Sequence, residues 1–178
     1  MPSVLIEEKK HYGIDCSAAL WASDEMHDIY HKCGLPHILC DADFAIETND
    51  TILLVEYKNA NIPEAIAHKD TTEEYNPFNN DKFDKIVCKY YDSLHYLRLM
   101  GKSKPIRYIF VLEYPKGDST SRRMLRNRLQ KRLPFRLQDI VNTGIKLIES
   151  VDVLNISEWN AHDAYGQFPI RPVAQQGT

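Results

Sequence analysis

No run in the 178-residue chain approaches the roughly 20 apolar residues needed to cross a bilayer, which excludes a membrane-spanning helix from the expectations. The opening MPSVLIEEKK is too short and too acidic to read as a secretory signal peptide. Cysteine is scarce: Cys16, Cys33, Cys40 and Cys88 are widely spaced and form no C-x-x-C. That argues against a zinc site and for reduced thiols in the cytoplasm, each expected to be a small buried apolar residue. The net charge of −3 lacks the excess of basic residues that a nucleic-acid binder often carries over its whole surface. One local absence is more telling. Between positions 119 and 136 there is no acidic residue at all, against seven basic ones: Arg122, Arg123, Arg126, Arg128, Lys131, Arg132 and Arg136.

What is present is enough for a folded core. With 43% hydrophobic and 26% charged residues, the chain is expected to form one domain over residues 1–178, with a loose tail from 172. Apolar residues at helical spacing, Ala18, Ala19, Ala22, Met26, Ile29 and Tyr30, predict a first helix over 15–32, capped by Asp15 or Ser17 and ended by Gly34 and Pro36. Phe83, Val87, Tyr90, Leu94 and Leu97 predict a helix over 81–100 ended by Gly101. IRYIFVLE at 106–113 reads as a buried central strand. A basic helix follows over 119–133, capped by Ser119 or Thr120, with Leu125, Leu129 and Leu133 as a narrow apolar stripe. A short helix at 137–143 and a last strand within 145–156 complete the order, while 59–80 reads as a long irregular segment with a helical turn at 64–69.

The chain is organised around LCDADFAIETNDTILLVEYK at 39–58. It predicts a strand over 39–47, a turn at Thr48-Asn49-Asp50 and a second, almost wholly apolar strand over 51–58. Side chains alternate faces along a strand, so Glu56 and Lys58 share a face with Ile52 and Leu54, and Leu53, Val55 and Tyr57 take the other. Asp41 or Asp43, on the paired strand, can point into the same space. Two carboxylates can hold a hard cation such as Mg²⁺, which polarises a phosphoryl oxygen and acidifies a bound water. An adjacent ammonium can orient the water or balance developing charge. The plainer alternative is a surface ion pair worth little.

Asp43-Phe44-Ala45-Ile46 followed by Ile52-Leu53-Leu54-Val55-Glu56-Tyr57-Lys58-Asn59 resembles the PD-(D/E)xK nuclease superfamily. The resemblance implies an α/β fold with a restriction-endonuclease-like αβββαβ core, a mixed central sheet flanked by helices, here with the basic helix added. It implies that Asp43 and Glu56 are metal ligands, with the Tyr57 carbonyl as another, and that Lys58 is the catalytic lysine. The metal would be Mg²⁺, with Mn²⁺ as a substitute. Ala42 stands where the motif has proline, and Asp41 remains a rival for the first acid. Superfamily members often draw a further acid from the first helix, for which Glu25 is the candidate and Asp28 the second choice. The third strand before the middle helix must be 4–6 or come from within 35–47.

The expected activity is therefore metal-dependent hydrolysis of phosphodiester bonds, in DNA first. Nucleic acid is the expected partner, and two cuts in a duplex would favour a homodimer. Arg122, Arg123 and Arg126 are the candidate backbone contacts, since arginine pairs bidentately with phosphate. Lys82 and Lys89, on a face of the 81–100 helix, are further candidates. His27 and His31 stand at helical i, i+4 spacing but lack a third ligand of matching spacing, so they read as surface histidines. The rival functions are a non-catalytic nucleic-acid-binding module and an interaction domain in which the acids and lysine form an ion-pair cluster.

Overall fold

A computed structural model describes residues 3–61 and 75–173. The helical turn expected at 64–69 lies outside the described residues. The elements run β1 (Val4–Ile6), β2 (Tyr12–Asp15), β3 (Trp21–Ser23), α1 (Met26–Lys32), β4 (Phe44–Glu47), β5 (Ile52–Asn59) and α2 (Asn80–Leu99). Then follow β6 (Ile106–Glu113), α3 (Ser119–Arg132), α4 (Phe135–Val141), β7 (Ile148–Leu154), α5 (Ile156–Ala161) and β8 (Ile170–Pro172). The architecture is α/β, with a five-stranded sheet in the order β3-β4-β5-β6-β7. It is mixed: β3, β4 and β5 are antiparallel neighbours, and β5, β6 and β7 run parallel. The parallel pair β5–β6 needs a crossover, and α2 supplies it.

Strand periodicity divides the interior into two layers. Ala45, Ile52, Leu54, Tyr108, Phe110 and Leu112 face a core shared with Phe83, Val87 and Tyr90 of α2 and with Leu125 and Leu129 of α3. Phe44, Ile46, Leu53, Val55, Ile109 and Val111 face a second core with Trp159, Tyr165 and Phe168. That second core is covered by a small antiparallel sheet, β1-β2-β8, through Leu5, Ile14 and Ile170. Strands buried on both faces read as continuous apolar runs, which is why β5 and β6 stand out in the sequence.

Three sequence expectations are corrected. The helix expected over 15–32 is only Met26–Lys32. Ahead of it, Asp15 pairs with Val4 in the small sheet and its amide donates to the Pro169 carbonyl at 3.1 Å, while Trp21–Ser23 pairs with β4. These partners are far away in sequence and outweigh the local helical spacing. The third strand of the main sheet is accordingly β3, whereas Val4–Ile6 joins the small sheet. As a result α1 follows the first strand of the main sheet instead of preceding it. Third, the strand expected from position 39 begins only at Phe44. The amides ahead of it go to α2: Cys40 N–H donates to Asp92 Oδ2 at 2.9 Å and Ala42 N–H to Ser93 Oγ at 2.9 Å.

The longer elements match closely. The helix expected over 81–100 is Asn80–Leu99, started by the Asn79 side chain, which accepts from the Asp81 and Lys82 amides. The basic helix is Ser119–Arg132, but its cap is Asp118, which accepts from Ser121 N–H at 2.7 Å. All four cysteines are free thiols, and of them only Cys16 is buried; Cys33 and Cys88 are exposed. No described helix is long and apolar enough to cross a membrane.

Candidate active site

The site forms where β4 meets β5. Phe44 pairs with Val55, which sets Asp43 opposite the Glu56–Tyr57 peptide. Asp43 Oδ2 accepts from Tyr57 N–H at 2.6 Å, fixing the carboxylate to the backbone of the acid-x-Lys strand. Two hydrogen bonds from the middle of α2 hold the segment before β4, so the placement of Asp43 depends on Asp92 and Ser93 as much as on the sheet. Glu56 lies on the α2 side with Ile52 and Leu54 and is only 7% exposed.

A buried carboxylate requires a partner. The partner of Glu56 is Lys89 of α2, whose Nζ donates to Oε1 at 2.8 Å and to Oε2 at 2.7 Å. Lys58, two residues further along the same strand face, is exposed, with its Nζ 5.4 Å from the centre of the Tyr75 ring. The acid-x-Lys pair therefore shares a face as its spacing predicts, while the direct ion pair of Glu56 goes to a lysine 33 positions away. Lys89 was a candidate phosphate contact in the sequence. Its place against Glu56 has no local signal there beyond its being flanked by Val87 and Tyr90 of the buried stripe.

The electrostatics follow from crowding charges into a poorly solvated corner. Burial, with Asp43 beside it, pushes the Glu56 carboxyl up to about 8 despite the attraction of Lys89. Burial also raises Asp43, against the pull of Lys89 and the Tyr57 amide. Burial disfavours the Lys89 ammonium, but Glu56 and Asp43 outweigh it and hold the ammonium above its usual range. The corner thus holds two carboxyls that ionise reluctantly around one lysine that keeps its proton. Added positive charge would relieve them.

The remaining candidates lie as follows. Asp41 faces His27, with Oδ1 3.3 Å from His27 Nδ1, and the His27 ring lies 4.4 Å from that of His31, tilted by 54°. Glu25 is exposed at the start of α1, where its N–H donates to Ser23 Oγ at 3.1 Å. Lys82 is exposed in the first turn of α2. The Tyr57 ring lies on the far face, 6.2 Å from Tyr12. Among the described residues, no group of three His, Cys, Asp or Glu side chains converges as a ready-made metal centre. Mg²⁺ does not require one, because it binds through one or two carboxylates and keeps several waters. Asp43 and Glu56 fit that demand: both are hard oxygen donors, and Glu56 already grips a cation with both oxygens.

The basic helix is more heavily paired than its sequence suggests. Arg122 is 6% exposed, donating to Glu158 Oε1 and to the Gly117 carbonyl, each at 2.6 Å. Arg128 donates to the Phe78 carbonyl at 2.8 Å and to Asn80 Oδ1 at 2.7 Å, and lies 3.9 Å over the Phe83 ring. Arg132 pairs with Asp84 at 3.1 Å. Arg123 and Arg126 are exposed, with Arg126 4.0 Å from Asp152. The acids missing from the helix are supplied by other elements.

Comparison of the chain with protein-family models, curated proteins and solved structures finds no match in any of the three.

Proposed function

We propose that this chain is a metal-dependent nuclease that hydrolyses phosphodiester bonds in DNA, on a restriction-endonuclease-like version of its α/β fold. The observation that carries the reading is the meeting of Asp43 and Glu56 across β4 and β5, with Lys58 next on the same strand face. Asp43 and Glu56, with the Tyr57 carbonyl, would hold Mg²⁺ or Mn²⁺. The bound ion supplies a Lewis acid for the phosphoryl oxygen and acidifies water. Lys58, unburied at the strand end, is free to orient the attacking water or balance charge on the phosphate. Arg123 and Arg126 are exposed cations of α3 suited to the DNA backbone.

The test is calorimetric titration of Mn²⁺ and Mg²⁺ into the wild-type protein and into a folded Asp43→Asn, Glu56→Gln double variant. Metal uptake by the wild type alone is expected. Lys58→Ala is expected to keep metal uptake and to lower cleavage of a DNA substrate by about 10²–10³-fold, the usual loss for one charge-stabilising group. Equal uptake by the wild type and the double variant, or cleavage by Lys58→Ala at the wild-type rate, would overturn the assignment.

A second reading has one observation in its favour: both oxygens of Glu56 are already held by Lys89. On that reading the cluster is a structural ion pair. Cutting it would cost stability, and no metal would bind.

A further inference from the structure

Lys89 reaches Glu56 from the middle of α2, and its Nζ lies at nearly equal distances from the two carboxylate oxygens, 2.8 and 2.7 Å. That is the position a cation takes when it is held by both oxygens of one carboxylate. The carboxylate cannot move away, since its side chain is 9% exposed and packed on the α2 side of the sheet. The lysine can move, since its side chain is 26% exposed and its charge sits on a flexible four-carbon stem. Two cations competing for one buried carboxylate repel strongly in such a site. When a second, more highly charged ion arrives, the mobile one must leave.

We propose that Lys89 is the resident counter-cation of this site, seated on Glu56 in the metal-free protein and displaced into solvent when a divalent cation binds. The proposal rests on the reading of Asp43 and Glu56 as metal ligands. It adds what that reading lacks: a reason why a buried glutamate stays folded and paired before metal arrives, and a side chain whose position reports the loading of the site. Lys58 is not the displaced group, because it is exposed already and lies against the Tyr75 ring.

Amine acylation read residue by residue by mass spectrometry tests this on the intact wild-type protein, with Mg²⁺ uptake followed in parallel by calorimetry. In metal-free protein Lys89 is expected to react slowly and Lys58 quickly. Saturating Mg²⁺ is expected to raise the Lys89 rate by about tenfold, the factor for losing a contact worth 1.4 kcal/mol, and to leave Lys58 unchanged. Glu56→Gln is expected to bring Lys89 to the high rate without metal. If Mg²⁺ binds and Lys89 stays protected, the displacement is wrong while the metal site stands. If Mg²⁺ does not bind at all, the reading of the site fails, and the displacement fails with it. If Lys89 is equally protected in a folded Glu56→Gln variant, Glu56 is not what holds it and the proposal falls.

Discussion

Glu56 is the residue whose chemistry depends most on the fold. In the unfolded chain it titrates near the ordinary glutamate value of 4.5, and in the folded chain it is pushed up to about 8 by burial first and by Asp43 second. A raised carboxyl binds its proton more tightly when folded, so between those two values the native state carries more protons than the unfolded one. Stability therefore falls as pH rises through that window. Glu56→Gln removes this titration. Urea unfolding at pH 5 and pH 8 is expected to show a larger loss for the wild type than for Glu56→Gln, with Asp43 leaving a residual slope in both. An equal loss in the two proteins would mean that Glu56 is not raised. At this scale the sequence was partly legible. Strand periodicity set Glu56 and Lys58 on one face, and the turn brought an Asp across from them. The Lys89 contact was not legible, because it depends on how α2 lies over β5, and no local window contains that.

At the level of elements, α3 separates composition from placement. Seven basic residues with no acid among them suggest a phosphate-binding surface, yet Arg122, Arg128 and Arg132 tie α3 to α5 and α2. Arg122→Ala should leave Glu158 Oε1 and the Gly117 carbonyl without this donor. It is expected to cost about 2 kcal/mol in urea unfolding, within the range for hydrogen bonds to a charged group. Arg123→Ala, at an exposed position, should change stability by less than about 0.5 kcal/mol. On the nuclease reading it should also lower the slope of log affinity for DNA against log salt by about one. If the effects are reversed, with Arg122 mattering for DNA and Arg123 for stability, the assignment of the helix faces is wrong. The same contrast explains the legibility of the fold. α2, β5 and β6 are long and periodic, and their own residues define them. Residues 4–23 instead form three short strands, and β2 and β3 find partners at Pro172, Pro169 and Glu47, so distant pairing replaces the first half of the helix that the spacing of Ala18, Ala22 and Met26 points to.

Taken whole, the molecule assigns its two faces different work. The face toward α2 carries Asp43, Glu56 and Lys89, with charge kept in a buried corner at some cost in stability. The opposite face is the second core, and there β2 and β8 join segments near the two ends of the chain across Ile14 and Ile170. The join is reinforced by Asn160, whose side chain donates to the Ile170 carbonyl at 3.0 Å and accepts from its amide at 2.8 Å. The Trp159 indole N–H donates to the Phe168 carbonyl at 2.7 Å, fixing the chain that leads into β8. A fold built this way should tolerate strain at the site because its stability is secured elsewhere. Ile170→Ala tests that division. Ile170 is 2% exposed, and truncating a buried isoleucine costs about 2–5 kcal/mol. The expected result is a large drop in the urea midpoint with the slow acylation of Lys89 preserved in the folded protein. A variant that is destabilised and also exposes Lys89 under native conditions would show that the two faces are coupled through β5, whose residues alternate between both cores. A variant of near wild-type stability would mean that the small sheet is an appendage, and that the α2 face must supply the stability its charges oppose.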